Sequence, residues 1–289
     1  MNKMSQPESP MTRSGHVTAI ATLGLPLIGG HVAQFAIGLT DTVMLGWYGV
    51  EALAAVTLAS TYFFVLFLLG AGFGFAVMPM VAAAAGAGED RQIRRCTRMG
   101  LWLSFLFAVV AMPVLLYSEQ ILLTLGQKPE VAGPASAYLK LAGWGLFPAL
   151  LVMVFKSYLA ALERTQIVLW ITIMAAVVNG LVNYALIFGN WGAPELGIAG
   201  AAYASIATQT VSLLAVAAYA LWVLPEHEIL KNFHRPDWEM FARVFKLGMP
   251  IGLTNLSEVS LFAASAMMMG WLGTIPLAAH GVAMTLAGL

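Results

Sequence analysis

The sequence predicts an all-α, multi-pass membrane protein, and three observations carry that prediction. Of its 289 residues, 60% are hydrophobic and only 10% are charged, where a soluble domain carries roughly 25% charged residues. Apolar stretches longer than the ~20 residues needed to cross a bilayer recur along the whole length. The short segments between them hold nearly all the charge. The formal net charge of +0 therefore says little, because the placement of the charges is what matters in such a chain. No basic, aromatic-interleaved patch marks a nucleic-acid partner.

Residues 1–16 contain Lys3, Pro7, Glu8, Pro10 and Arg13 without a short apolar core or small-residue cleavage pattern, and read as a polar cytoplasmic tail, not a signal peptide. Eight helices are then expected at 17–46, 51–80, 96–117, 135–160, 165–189, 196–223, 242–272 and 276 to the end. Turn residues mark the breaks: Gly86, Gly88 and Asp90, then Gly126 and Pro129, then Gly189, Gly192 and Pro194. With a cytoplasmic amino terminus, 12 of the 14 basic residues fall inside and only Lys128 and Lys140 outside, which selects that orientation by the positive-inside rule. Arg91, Arg94, Arg95 and Arg98 then read as topology markers. Cys96 is the single cysteine, so an intrachain disulfide and a multi-cysteine metal site are excluded.

The chain repeats itself. A shift of 224 residues aligns Gly24 with Gly248, Pro26 with Pro250, Gly46 with Gly270, Trp47 with Trp271, Gly49 with Gly273, and Leu53, Ala54, Ala55 with Leu277, Ala278, Ala279. Six helices separate the two starts, so the copies enter the membrane in the same direction and a pseudo-two-fold axis along the membrane normal is expected. A proline inside each copy should bend it near the cytoplasmic end. The expected organisation is a tail at 1–16, an amino-terminal six-helix lobe at 17–223, a cytoplasmic inter-lobe linker at 224–241, and the start of a carboxy-terminal lobe at 242–289, with helix 7 and part of helix 8. Residue 289 corresponds to Val65 of the first copy, so a parent of roughly 450 residues is expected if the second copy is completed.

Two acids lie within membrane helices, Asp41 and Glu258. Asp41 stands six residues before Trp47, about 9 Å along the axis, and no lysine or arginine occurs from Ser14 to Asp90. An ionised carboxylate at such depth costs about 2.5–3.5 kcal/mol on insertion scales, so it is normally kept from lipid and given a task. Under the shift, Asp41 aligns with Ser265 and Glu258 with Gln34, so the two acids sit seven residues apart in register. Seven residues is two turns, which sets them on equivalent faces of their lobes and predicts a central cavity flanked by two ion sites. Asn179 and Asn183 share one face of the fifth helix and offer amides to a cation or to an aspartate, or simply bond helices together. Asn255, three residues before Glu258, leaves the same two options. Gly70, Gly72 and Gly74 read as a close helix contact. His31 and His280 could relay protons or be plainly hydrogen-bonded. No HExxH, GxSxG or Walker A pattern occurs, so neither hydrolytic chemistry nor nucleotide-driven pumping is encoded and no enzyme is expected.

The stretches PLIGGHVAQFAIGLTDTVMLGWYGVEALAAV, VAAAAGAGEDRQIRRCTRMG, NGLVNYALIFGNWGAPELGIAGAAYAS and GMPIGLTNLSEVSLFAASAMMMGWLG together resemble the multidrug and toxic compound extrusion (MATE) transporter family, most closely its NorM-type bacterial branch. The resemblance implies twelve helices in two six-helix lobes around a central cavity, of which this chain holds about eight. It implies export of cationic or amphipathic compounds in exchange for Na+ or H+, from the bacterial inner membrane, by a full-length monomer without cofactor. The family's first-helix aspartate matches Asp41, its fifth-helix polar residues match Asn179 and Asn183, its sixth-helix hydroxyl matches Ser205, and the seventh-helix carboxylate of this branch matches Glu258.

An alternating-access antiport follows as the expected mechanism. A proton or an oxygen-bound Na+ can neutralise Asp41 or Glu258, and a cationic drug competes for the same charge. Gln34, on the face of Asp41, is a candidate substrate contact. Lipid-linked saccharide flippases of the same superfamily are the nearest alternative, but they need a cationic cavity and the buried charges here are acidic. An intramembrane aspartyl enzyme would need paired aspartates in contact, and Asp41 has only Glu258 to offer. A channel is made less apt by the repeat.

Overall fold

A computed structural model of the chain describes residues 13–231 and 233–287. Residues 1–12 of the expected tail lie outside the described residues. Ten α-helices account for nearly all of the rest: α1 Arg13–Tyr48, α2 Val50–Gly86, α3 Asp90–Leu116, α4 Ser118–Thr124, α5 Pro129–Ala142, α6 Leu146–Ala161, α7 Thr165–Phe188, α8 Ile198–Val223, α9 Trp238–Leu272 and α10 Thr274–Ala287. No strand occurs among the described residues. Seven helical stretches are long and apolar enough to cross a membrane, with α5 and α6 counted as one from Pro129 to Ala161, and α10 is a shorter apolar helix. The chain is an all-α, multi-pass membrane protein.

The expected helices are all present, with informative differences at their ends. The third begins at Asp90 instead of 96, because Arg and Gln are good helix formers and an acid in the first turn suits the helix dipole. The fourth begins at Pro129, a proline in the first turn where its missing N–H costs nothing, and passes through a 3-10 turn at Gly143–Gly145. The seventh begins at Trp238, where the Asp237 side chain accepts a hydrogen bond from the Met240 amide at 3.1 Å, an N-cap. The short helix α4 was not foreseen. Gly189, at an expected break, ends α7 in the left-handed conformation at φ 70°, which only glycine adopts without strain.

The repeat is visible in the element boundaries. Adding 224 to the end of α1 (48) gives 272, the end of α9, and adding it to the start of α2 (50) gives 274, the start of α10. A single glycine joins the helices in both copies, Gly49 and Gly273. Pro26 and Pro250 each lie inside a helix that continues through them.

Helix α2 is the hub, packed against α3, α5, α6, α9 and α10, while α1 pairs with α7. The α2–α9 contact rests on small residues, as the GAGFG stretch predicted. A methyl group at Gly72 would collide with the backbone of Gly248 and Gly252, so the two helices touch backbone to backbone. Leu53, Leu58, Tyr138, Leu146 and Leu277 belong to one buried cluster around α2, and Phe73, Ile93, Met99, Tyr158 and Val244 to a second.

The basic residues of α3, expected only as topology markers, make ion pairs of their own. Arg95 Nε and Nη2 donate to Asp237 at 2.5 and 3.1 Å, and Nη2 also reaches Glu239 at 2.9 Å. Arg94 pairs with Glu228 at 2.5 Å, and the Trp102 indole donates to the Phe233 carbonyl at 2.9 Å while stacking on its ring. The segment between α8 and α9 is thereby fastened to α3. Hydrogen bonding from Arg95 holds the Asp237 carboxyl below the usual carboxylate range.

Candidate functional site

Asp41 lies within the apolar helix α1, and its companions come from α7, the helix packed along α1. Four residues separate Asn179 from Asn183, so both amides emerge from one face. Asn179 Nδ2 donates to Asp41 Oδ1 at 3.1 Å, and Asn183 Nδ2 donates to the same oxygen at 2.5 Å and to Asn179 Oδ1 at 3.2 Å. Both asparagines are fully buried. Because both amides bind Oδ1, Oδ2 is left for a third partner. The Asn183 carbonyl oxygen Oδ1 is also buried with no hydrogen-bond partner among the described residues. An unsatisfied buried acceptor costs about 1–3 kcal/mol, and a carboxylate with an amide oxygen on the neighbouring helix offers oxygen ligands of the kind a proton or a hard cation such as Na+ favours.

Ser205, on α8, is not in direct contact with this triad. Its hydroxyl lies 3.4 Å from that of Tyr138 on α5. Sequence reasoning passed over Tyr138, whose setting in an apolar stretch gave no pattern to single it out.

A cavity of about 450 Å³ opens beside Asp41. The first copy of the repeat lines it from α1 and α2, the second from α9 and α10, with Gln34, Asp41, Ser60, His280 and Thr285 among the polar walls. Gln34, the candidate substrate contact, is on this wall. Thr42 of α1 and Thr285 of α10 meet across the seam, Oγ1 to Oγ1 at 3.2 Å. Thr42, Thr57, Thr61 and Thr285 each donate to the carbonyl four residues back on their own helix, which satisfies the hydroxyl hydrogen and leaves oxygen lone pairs for a guest. The recurrence of threonines in otherwise apolar helices was the signal that could have found them.

Glu258 departs from expectation. Its side chain is exposed on α9 and does not line the cavity that holds Asp41, and the half-buried Asn255 lies outside it as well. The two acids therefore do not share one cavity within the described residues. The cause is register and cover. Glu258 lies seven residues, roughly 10 Å, from Ser265, the counterpart of Asp41, and α9 packs on α2 through Gly248 and Gly252 in a way that leaves the Glu258 side chain exposed.

A family model described as MatE matches residues 26–185. The chain is 46% identical over 279 residues to a probable multidrug resistance protein NorM of Rhizobium meliloti (strain 1021), covering 95% of this chain and 59% of that protein. It is 43% identical over 276 residues to a protein of the same description from Agrobacterium fabrum, with the same two coverages, 95% and 59%. The chain thus spans 59% of the length of these relatives. A solved structure described as the outward-facing conformation of a multidrug resistance MATE family transporter matches with a TM-score of 0.75 at 23% identity, over 93% of this chain and 64% of that one. That likeness is one of fold.

Proposed function

This chain belongs to the MatE family, and from that premise we propose that the full-length protein is a multidrug efflux antiporter. It exports cationic or amphipathic compounds in exchange for Na+ or H+ by alternating access, from the bacterial inner membrane with its amino terminus cytoplasmic. It needs no cofactor and makes or breaks no covalent bond. One observation carries the reading: a carboxylate inside an apolar helix, held by two buried amides and no basic group, on the wall of a cavity between the two copies of the repeat.

The chemistry follows from charge. A cationic guest and a coupling ion both need the Asp41 carboxylate, and neither can use it while the other does. Proton or Na+ arrival therefore favours release of the guest. Asn179 and Asn183 orient the carboxylate and offer the orphaned amide oxygen to the ion, while Ser205 acts through Tyr138. Gln34 and the threonine hydroxyls meet the guest from the cavity wall. Glu258 and Asn255 form the polar group that α9 contributes.

The test is efflux of a fluorescent cation from vesicles holding the full-length protein, driven separately by a Na+ gradient and a pH gradient. Asp41→Asn should abolish driven efflux at normal expression. Wild-type efflux by that variant would remove the mechanism, and the gradient that works identifies the ion.

A further inference from the structure

The two copies of the repeat place different polar groups around their shared cavity. The shift of 224 pairs Asp41 with Ser265 and Val56 with His280. Where α1 carries a carboxylate α9 carries a hydroxyl, and where α2 carries an isopropyl group α10 carries an imidazole. His280 lines the cavity together with Asp41, and Ser265 binds it, Oγ to Nε2 at 3.3 Å.

The second contact of the Ser265 hydroxyl assigns a direction to that bond. Ser265 has one hydroxyl hydrogen and donates it to the Phe262 carbonyl at 2.8 Å. Its oxygen is therefore the acceptor toward His280, and Nε2 carries a hydrogen. An Nε2–H exists both in one neutral tautomer and in the imidazolium. The ring can gain or lose a proton at Nδ1 without giving up its bond to Ser265, and no group among the described residues bonds Nδ1. Helices α1, α2 and α9 pack against α10. From α1 the titratable group on the cavity wall is Asp41, whereas α2 contributes hydroxyls and apolar side chains there and α9 apolar side chains only, Glu258 standing outside.

We propose that His280 is a second ion-coupling group of this cavity, facing Asp41 from the other copy of the repeat. A proton taken from water onto Nδ1 creates an imidazolium, raises the charge of the cavity by one, and disfavours a cationic guest held by Asp41. Loss of that proton readmits the guest. The inference rests on reading the cavity as a path for organic cations.

The experiment uses the full-length protein, tetraphenylphosphonium as the probe, and the variants His280→Gln and Asp41→Asn. Glutamine keeps an N–H that can donate to Ser265 but takes up no proton. Between about pH 8 and pH 6 the wild-type Kd should rise about tenfold or more, and in His280→Gln the ratio should fall below about threefold, since one pK unit of differential interaction is a factor of ten. Imidazole NMR, with the His280 signal identified by its loss in His280→Gln, gives an independent readout. Saturating probe near pH 6 should move that signal toward its neutral position. A wild-type Kd ratio retained by His280→Gln, or a His280 signal indifferent to the probe, overturns the inference. If the wild-type protein binds no probe at all, the efflux reading fails separately. The His280 signal then decides alone: a pH titration unaltered by Asp41→Asn overturns the inference, and an altered one upholds it.

Discussion

Helices α1 and α9 are one element used twice, and they differ in what they carry and what covers them. Their ends coincide under a shift of 224 residues, each holds a proline, and a single glycine leads each into its successor. Yet α1 bears Asp41 under two asparagines of α7, while α9 bears Ser265 and lies with its glycines against the backbone of α2. The scaffold has been duplicated and the chemistry has not. A shared backbone fixes where side chains can stand, and the polar cluster at Asp41 depends on which neighbour reaches it.

The largest effect expected from breaking this comparison is on transport. Exchanging the two polar residues, Asp41→Ser with Ser265→Asp, restores the total charge but moves the carboxylate to a helix with no asparagine pair beside it. Gradient-driven efflux by the full-length protein should fall to background, and efflux near the wild-type rate would mean that the copies are interchangeable.

Next in size is a stability contrast between equivalent glycines. In this chain Gly24 has nothing within 4 Å of an added methyl, whereas the same methyl at Gly248 would lie 2.7 Å from the Phe73 ring and 2.9 Å from its Cα. Gly248→Ala should cost about 1–3 kcal/mol through overpacking. Gly24→Ala should be neutral or stabilising by up to about 1 kcal/mol, since alanine is the better helix former. Thermal unfolding in detergent compares the two directly.

A smaller, pH-dependent effect is expected at the α3–α9 fastening. Arg95 and Asp237 are 19% and 16% exposed, so breaking the pair with Asp237→Asn should cost about 1–2 kcal/mol at neutral pH. The native carboxyl titrates below its ordinary range, so its contribution is present above that range and is lost as the pH falls through the native value. The gap in melting temperature between wild type and Asp237→Asn should close on acidification. A gap that widens would contradict the assignment. Smallest of all, Thr42→Val removes one seam contact, 3.2 Å long, and should cost under about 1 kcal/mol.

Much of this was legible in the sequence. Helices of this kind announce themselves through uninterrupted apolar runs, and the acid Asp41 with two amides at helical spacing on a later helix pointed to the polar cluster that the three side chains form. Contacts between helices distant in sequence were less legible. The basic run Arg91–Arg98 suits a loop expected on the cytoplasmic side whether or not a linker carboxylate reaches back to it, so its pairing with Asp237 and Glu228 left no separate trace. The exposure of Glu258 was hidden for a related reason. Register places an acid on a face, but only the neighbouring helices decide whether that face is covered. His280 could be seen, yet its tautomer depends on Ser265 already spending its hydrogen on Phe262, a detail of three-dimensional geometry.

The most direct test of the central claim is competition at Asp41. Affinity of the purified full-length protein for tetraphenylphosphonium would be measured with and without Na+, and across pH, in wild type and Asp41→Asn. The account predicts that the wild-type affinity falls when Na+ or acid is added, and that in Asp41→Asn the affinity itself drops and the Na+ response disappears, leaving only the acid response that His280 supplies. An Asp41→Asn protein that binds the cation as tightly as wild type and still yields it to the same ion would contradict the account.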